Sequence, residues 1–113
     1  MESTTLNSLE LTDYEATELH DYERRAAEYS REVGCFVTRS GKSEDIELGA
    51  RLFLELVSLM ESDTRVRTGA LRYGLFWAGQ TINSRNASQA YQLRATFLRD
   101  VYLAAIAERE AAK

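Results

Sequence analysis

The sequence predicts an all-α protein, a small antiparallel four-helix bundle with an N-terminal arm, and three observations carry that prediction. Proline, the commonest helix breaker, is absent from all 113 residues. Apolar side chains recur every three to four residues through four segments, the spacing of a buried helix face rather than of a strand. Short polar stretches holding Ser, Thr, Asp or Asn, whose side chains satisfy the free N–H groups of a helix start, separate the segments. Short connections make antiparallel neighbours the economical arrangement.

Residues 1–11, with leucines at positions 6, 9 and 11, read as an arm, and residues 12–113 as a single helical domain. Thr12-x-x-Glu15 opens the first helix as a capping box, in which hydroxyl and carboxylate each take a free backbone donor. Its inward stripe is Leu19, Tyr22, Ala26, Tyr29 and Val33, with Gly34 as the stop. After the loop TRSGKS, Ser43 caps a second helix whose inward arc holds Ile46, Gly49, Leu52, Phe53, Leu56, Val57 and Met60. Glu47, Arg51 and Glu55 stand four apart on its other side.

Thr68 to Ile82, TGALRYGLFWAGQTI, reads as the central helix. Ala70, Leu71, Gly74, Trp77, Ala78 and Ile82 share a face, and Tyr73 and Phe76 widen it until little polar surface is left. Ser62 or Asp63 is its expected cap. Gly74 lies amid the apolar residues, where a missing side chain lets another backbone approach. Trp77 and Phe76 fit a crowded core better than a ligand pocket. The fourth helix follows Asn83-Ser84-Arg85-Asn86, with Asn86 as cap, and runs through Ala90, Tyr91, Phe97, Leu98, Val101, Ala104 and Ala105 almost to the end.

Composition excludes several classes. One cysteine, Cys35, rules out an internal disulfide and reads as a buried structural thiol. No apolar run is long enough to span a membrane and the N-terminus lacks the pattern of a signal peptide, so a cytoplasmic location is expected. A helical two-metal site needs Glu-x-x-His pairs and a zinc site needs sulfur and imidazole ligands; with one histidine, His20, expected on an exposed face, no metal or cofactor is implied. Ser84-Arg85-x-x-Ser88-Gln89 resembles the last helix of the helical chorismate mutases, but the lysine and the arginine-bearing first helix of that chemistry are missing. LRYGLFWAG is similar to a stretch of small helical subunits of RNA-guided effector complexes over nine residues only. No enzyme activity is expected.

The most unusual feature is charge segregation. Met1 to Asp63 holds 15 acidic and 6 basic residues, whereas Thr64 to Arg99 holds six arginines and no acid, within a chain of net charge −4. Arginine outnumbers lysine twelve to two, a bias that suits bidentate recognition of phosphate or carboxylate. Helical phase puts Arg65 and Arg72 on the polar side of the third helix and Arg85 in a turn, a candidate basic surface. Arg94 falls inside the inward stripe of the fourth helix. A buried guanidinium needs a partner, and Glu18 is the expected one, forming a structural buried pair.

The reading that follows is a non-enzymatic helical binding or adaptor protein acting through protein–protein surfaces, on another protein or on itself as a homodimer. Two alternatives stand beside it. One is a nucleic-acid-backbone binder using Arg65, Arg72 and Arg85 within segment 64–99. The other is an inhibitor of phage type whose acidic first helix imitates nucleic acid.

Overall fold

Helix α1, Asp13–Glu32, starts where the capping box places it. The Glu15 N–H donates to Thr12 Oγ1 and the Thr12 N–H donates to Glu15 Oε1, each at 3.0 Å. The computed structural model describes residues 10–32 and 43–112 of the chain. Three more helices follow among them: α2, Ser43–Ser62, α3, Thr68–Ile82, and α4, Gln89–Ala111. All four are α-helices and no strand occurs among the described residues, so the fold is all-α as the periodicity implied. Most of the arm, together with Tyr29, Val33, Cys35 and Ile46 as core or thiol assignments, lies outside the described residues or side chains.

Side-chain contacts give the helix directions. Arg72 near the start of α3 pairs with Glu110 near the end of α4, at 3.0 Å, so these two run in opposite senses. Phe53 meets Phe97 edge to face with centroids 5.8 Å apart, and further along Arg109 reaches the Met60 carbonyl. Helices α2 and α4 are therefore neighbours running in the same sense. Tyr22 of α1 meets Tyr102 of α4 at 6.4 Å, also edge to face.

The hub is α4, not α3. Along α4, Ala95, Phe97, Leu98, Val101, Tyr102 and Ala105 are buried, against Ala70, Leu71 and Ala78 on α3. Phe97 faces α2 while Tyr102 faces α1 and α3, and five residues of helix separate them by about 140°. A buried arc that wide lets one helix touch all three others. The sequence favoured α3 because its aromatic content is higher, but Trp77 is 47 % exposed and supports no core.

Two caps differ from expectation. The N-cap of α3 is Arg67, whose side chain caps nothing; neither Ser62 nor Asp63 serves. Asp63 instead shapes the connecting turn, its carboxylate accepting the Arg65 N–H at 3.1 Å and the Tyr14 hydroxyl. The cap of α4 is Ser88, not Asn86, with Ser88 Oγ accepting the Tyr91 N–H at 3.1 Å. Ser84 and Asn86 are used within the turn, where the Asn86 N–H donates to Ser84 Oγ at 3.3 Å.

Gly74 does admit a close approach, but of a ring and not of a backbone. A Cβ at this position would stand 2.8 Å from Cε1 of Tyr102, nearer still to the far end of the ring. Tyr102 is 2 % exposed, so its ring has little room to retreat. Gly74→Ala should therefore lower stability by about 1–2 kcal/mol, overpacking outweighing a helix-propensity gain of about 1 kcal/mol. A Cβ at Gly69 or Gly79 meets nothing within 4 Å, so alanine there should raise stability by about 0.5–1 kcal/mol. Urea denaturation of the three variants checks the contrast.

Candidate binding cleft

Below the Tyr102 ring, α1, α3 and α4 leave a cleft of about 150 Å³. Gly74, Ala78 and Ala95 are its small lining residues, and the space directly beside Gly74 is taken by the Tyr102 ring. Tyr73, Trp77, Tyr91 and Tyr102 wall it, and Glu23 of α1 and Arg94 of α4 are its two charged members. Trp77 meets Tyr73 at 6.3 Å and Phe76 at 5.2 Å, both edge to face, while about half of its surface stays in solvent. Tyr91, 45 % exposed, carries the Arg94 guanidinium over its ring at 4.2 Å. Past Thr81 and Tyr91 a shallower depression continues over Ser84, Asn86, Ala87 and Ser88 in the α3–α4 turn.

The expected Glu18–Arg94 pair does not form. Arg94 is half-buried and engages Tyr91, and among the described residues no carboxylate pairs with it. Its level along the bundle is that of Trp77 and Ala78, where α1 presents Glu23, more than one turn beyond Glu18. Periodicity gives the side of a helix a residue occupies, but not how its level matches a neighbour's. Nor does it say how far a neighbour extends: Ala90 and Tyr91 share the stripe of Leu98 and Val101 yet are exposed.

Among the described residues, the carboxylate that is buried and paired is Glu15, whose partner is the half-exposed Arg67. Glu15 is fully buried, and Arg67 Nη2 and Nε reach its two carboxylate oxygens at 2.7 Å each, with the Arg67 N–H adding a third bond at 2.9 Å. Those bonds, the Arg67 side chain first, hold the Glu15 carboxyl at about 2 against burial, which pushes the other way. The capping box was the available sequence signal: Glu15 at that position points back toward the helix start, where α3 also begins.

Arg65, Arg72 and Arg85 are exposed, but they do not make one surface. Arg65 lies over the Tyr14 ring at 4.1 Å and donates to its hydroxyl at 2.7 Å, beside Asp63. Arg72 is tied to Glu110, and Arg85 sits beyond the far end of α3, about 20 Å from its start. Of the six arginines in the acid-free segment, Arg65, Arg67, Arg72 and Arg99 each stand within ion-pair distance of a carboxylate. On the outer face of α1, Asp21 and Glu28 are engaged by Arg24 and Arg25. His20 is exposed, and among the described residues no cluster of His, Cys, Asp and Glu could hold a metal ion. Among the described residues no helix is long and apolar enough to cross a membrane.

No protein-family model, curated protein or solved structure matches this chain.

Proposed function

We propose that this is a small helical binding module that docks on a partner protein through the Trp77–Tyr91–Arg94 cleft. The observation that carries the reading is a half-exposed tryptophan and tyrosine, with an arginine stacked on the latter, around a cleft of about 150 Å³. Tryptophan, tyrosine and arginine are the residue types that dominate binding energy at protein interfaces. Size supports the same reading. A cavity of about 150 Å³ admits a benzene-sized group, whereas sites for drug-sized ligands and cofactors run to about 300–1,000 Å³. One anchoring side chain matches that volume.

Replacing Trp77 by Ala should weaken the partner's binding about 30-fold or more, the effect of a hot-spot residue of about 2 kcal/mol. Because Trp77 is half-exposed, the same change should cost folding stability only about 1 kcal/mol. The test is reconstitution with the purified partner, identified by capture on the tagged protein and compared with Trp77→Ala and Arg72→Ala. Loss with both variants, or with neither, counts against the cleft. Light scattering beforehand decides whether the partner is a second copy: the chain alone is 12.8 kDa. Self-association is the second reading, favoured by Leu54 and Leu103, which are 64 % and 48 % exposed on α2 and α4. An expected cytoplasmic setting goes with either.

A further inference from the structure

We infer that the cleft takes an aromatic side chain of the partner together with a carboxylate next to it in the partner's chain. This rests on the docking reading and adds the partner's chemistry. The carboxylate belongs on the α4 side. Arg94 stands at that wall with its guanidinium over the Tyr91 ring and, among the described residues, no carboxylate paired with it, so a bound anion meets an uncompensated cation. Beyond Tyr91 the depression is lined by Ser84, Asn86 and Ser88, which offer hydroxyl and amide donors, and Arg85 is exposed in the same turn. The first turn of α4 carries no acidic side chain, and the whole span from Thr64 to Arg99 carries none. The one carboxylate lining the cleft, Glu23, comes from α1. The groove therefore has a direction: aromatic anchor between α1 and α3, acidic residue toward the α3–α4 turn.

Single-stranded nucleic acid also stacks bases on aromatic rings and sets phosphates against arginine. It fits less well. Glu23 lies within the cleft itself, the outer face of α1 is acidic beside it, and four of the six arginines are already engaged by carboxylates of the chain.

Trp77 is the only tryptophan, so its emission reports on the cleft directly. Three capped peptides, Gly-Phe-Asp-Asp-Gly, Gly-Phe-Ala-Ala-Gly and Gly-Phe-Lys-Lys-Gly, are titrated against the unaltered protein at low salt, with an oligothymidylate as the fourth probe. The acidic peptide should bind about tenfold tighter than the alanine peptide, and the lysine peptide weakest, as expected for a charge-assisted contact at a partly buried cation. Arg94→Ala should abolish that preference and Arg72→Ala should leave it intact. Equal binding of all three peptides overturns the acidic partner while the docking cleft stands. No change in Trp77 emission with any probe overturns both. Tighter binding of the oligothymidylate than of every peptide, lost steeply as salt rises, overturns the proposal in favour of nucleic acid. The peptide series on the unaltered protein decides among these even if an Arg94 variant does not fold.

Discussion

Arg109→Ala is expected to lower the stability of the fold by about 3 kcal/mol, a fall in Tm on the order of 10–15 °C for a domain of this size. The reason lies at the end of α2. The last carbonyls of a helix have no partner within it, and they carry the negative end of the helix dipole. Arg109, from the last turn of α4, donates through Nη2 to the Met60 and Asp63 carbonyls and through Nη1 to the Val66 carbonyl and Thr68 Oγ1. One guanidinium thus closes α2, the turn after it and the start of α3. Alanine leaves these half-buried acceptors to incoming water. Lysine has three donors on one nitrogen and cannot span acceptors on both sides of a planar fork, so Arg109→Lys should recover less than half of the loss. Thermal unfolding followed by circular dichroism checks both values. A change below about 1 kcal/mol for Arg109→Ala would mean that the turn holds itself.

Glu15→Gln should be nearly as costly at neutral pH, about 2–3 kcal/mol, and its cost should vanish in acid. Removing one partner of a buried pair costs about 3–5 kcal/mol. Here the figure is smaller because the Arg67 side chain is half-exposed and can return to water. Glutamine keeps the shape, but its amide nitrogen must face the Thr12 or the Arg67 donors that the carboxylate accepted. The pH dependence has a definite sign. The carboxyl sits at about 2 in the fold and at 4.5 ordinarily, so the stability it contributes is complete above about pH 4.5 and is lost as pH falls toward 2. The gap between the two proteins in urea midpoint should be constant from pH 7 to 5 and close below that. Asp63 and Asp21 are also held below their ordinary values, by the Tyr14 hydroxyl and by Arg25, and remain in the variant. Both proteins therefore unfold in acid, and only the difference between them belongs to Glu15. A gap unchanged down to pH 2 would show that the carboxylate is not what Glu15 contributes.

Neither Arg67 nor Arg109 is conspicuous in the sequence. Arg94 is, because it interrupts an apolar stripe, and the rule that a buried cation needs a carboxylate assigned it Glu18. The structure satisfies the rule elsewhere. Arg94 ends at the edge of the packed region, where a tyrosine face and solvent suffice, and the acid that is fully buried among the described residues, Glu15, is one the sequence marks only as a helix cap.

Local chemistry was enough for the helices themselves: absent proline, three-to-four-residue spacing and the Thr12–Glu15 box set α1, α3 and the class of the fold, because each depends on residues a few positions apart. It also placed Leu19, Tyr22, Ala26, Leu52, Leu56, Val57 and Met60 in the core. Which helix is the hub depends on the width of a buried arc, and only packing reveals that Phe97 and Tyr102 serve different neighbours. The same holds for the cleft. Trp77 and Tyr91 read as core from their phase, but phase says nothing about whether a neighbouring helix reaches their level. Where none of the described helices covers them, the most apolar stretch of the chain keeps an exposed edge. Charge segregation was plain in the sequence, yet its sense was not: tertiary structure brought Glu15 of α1 to Arg67 and Glu110 of α4 to Arg72, while Arg65 and Arg99 pair with carboxylates one or two positions away, and Arg94 stands at the cleft.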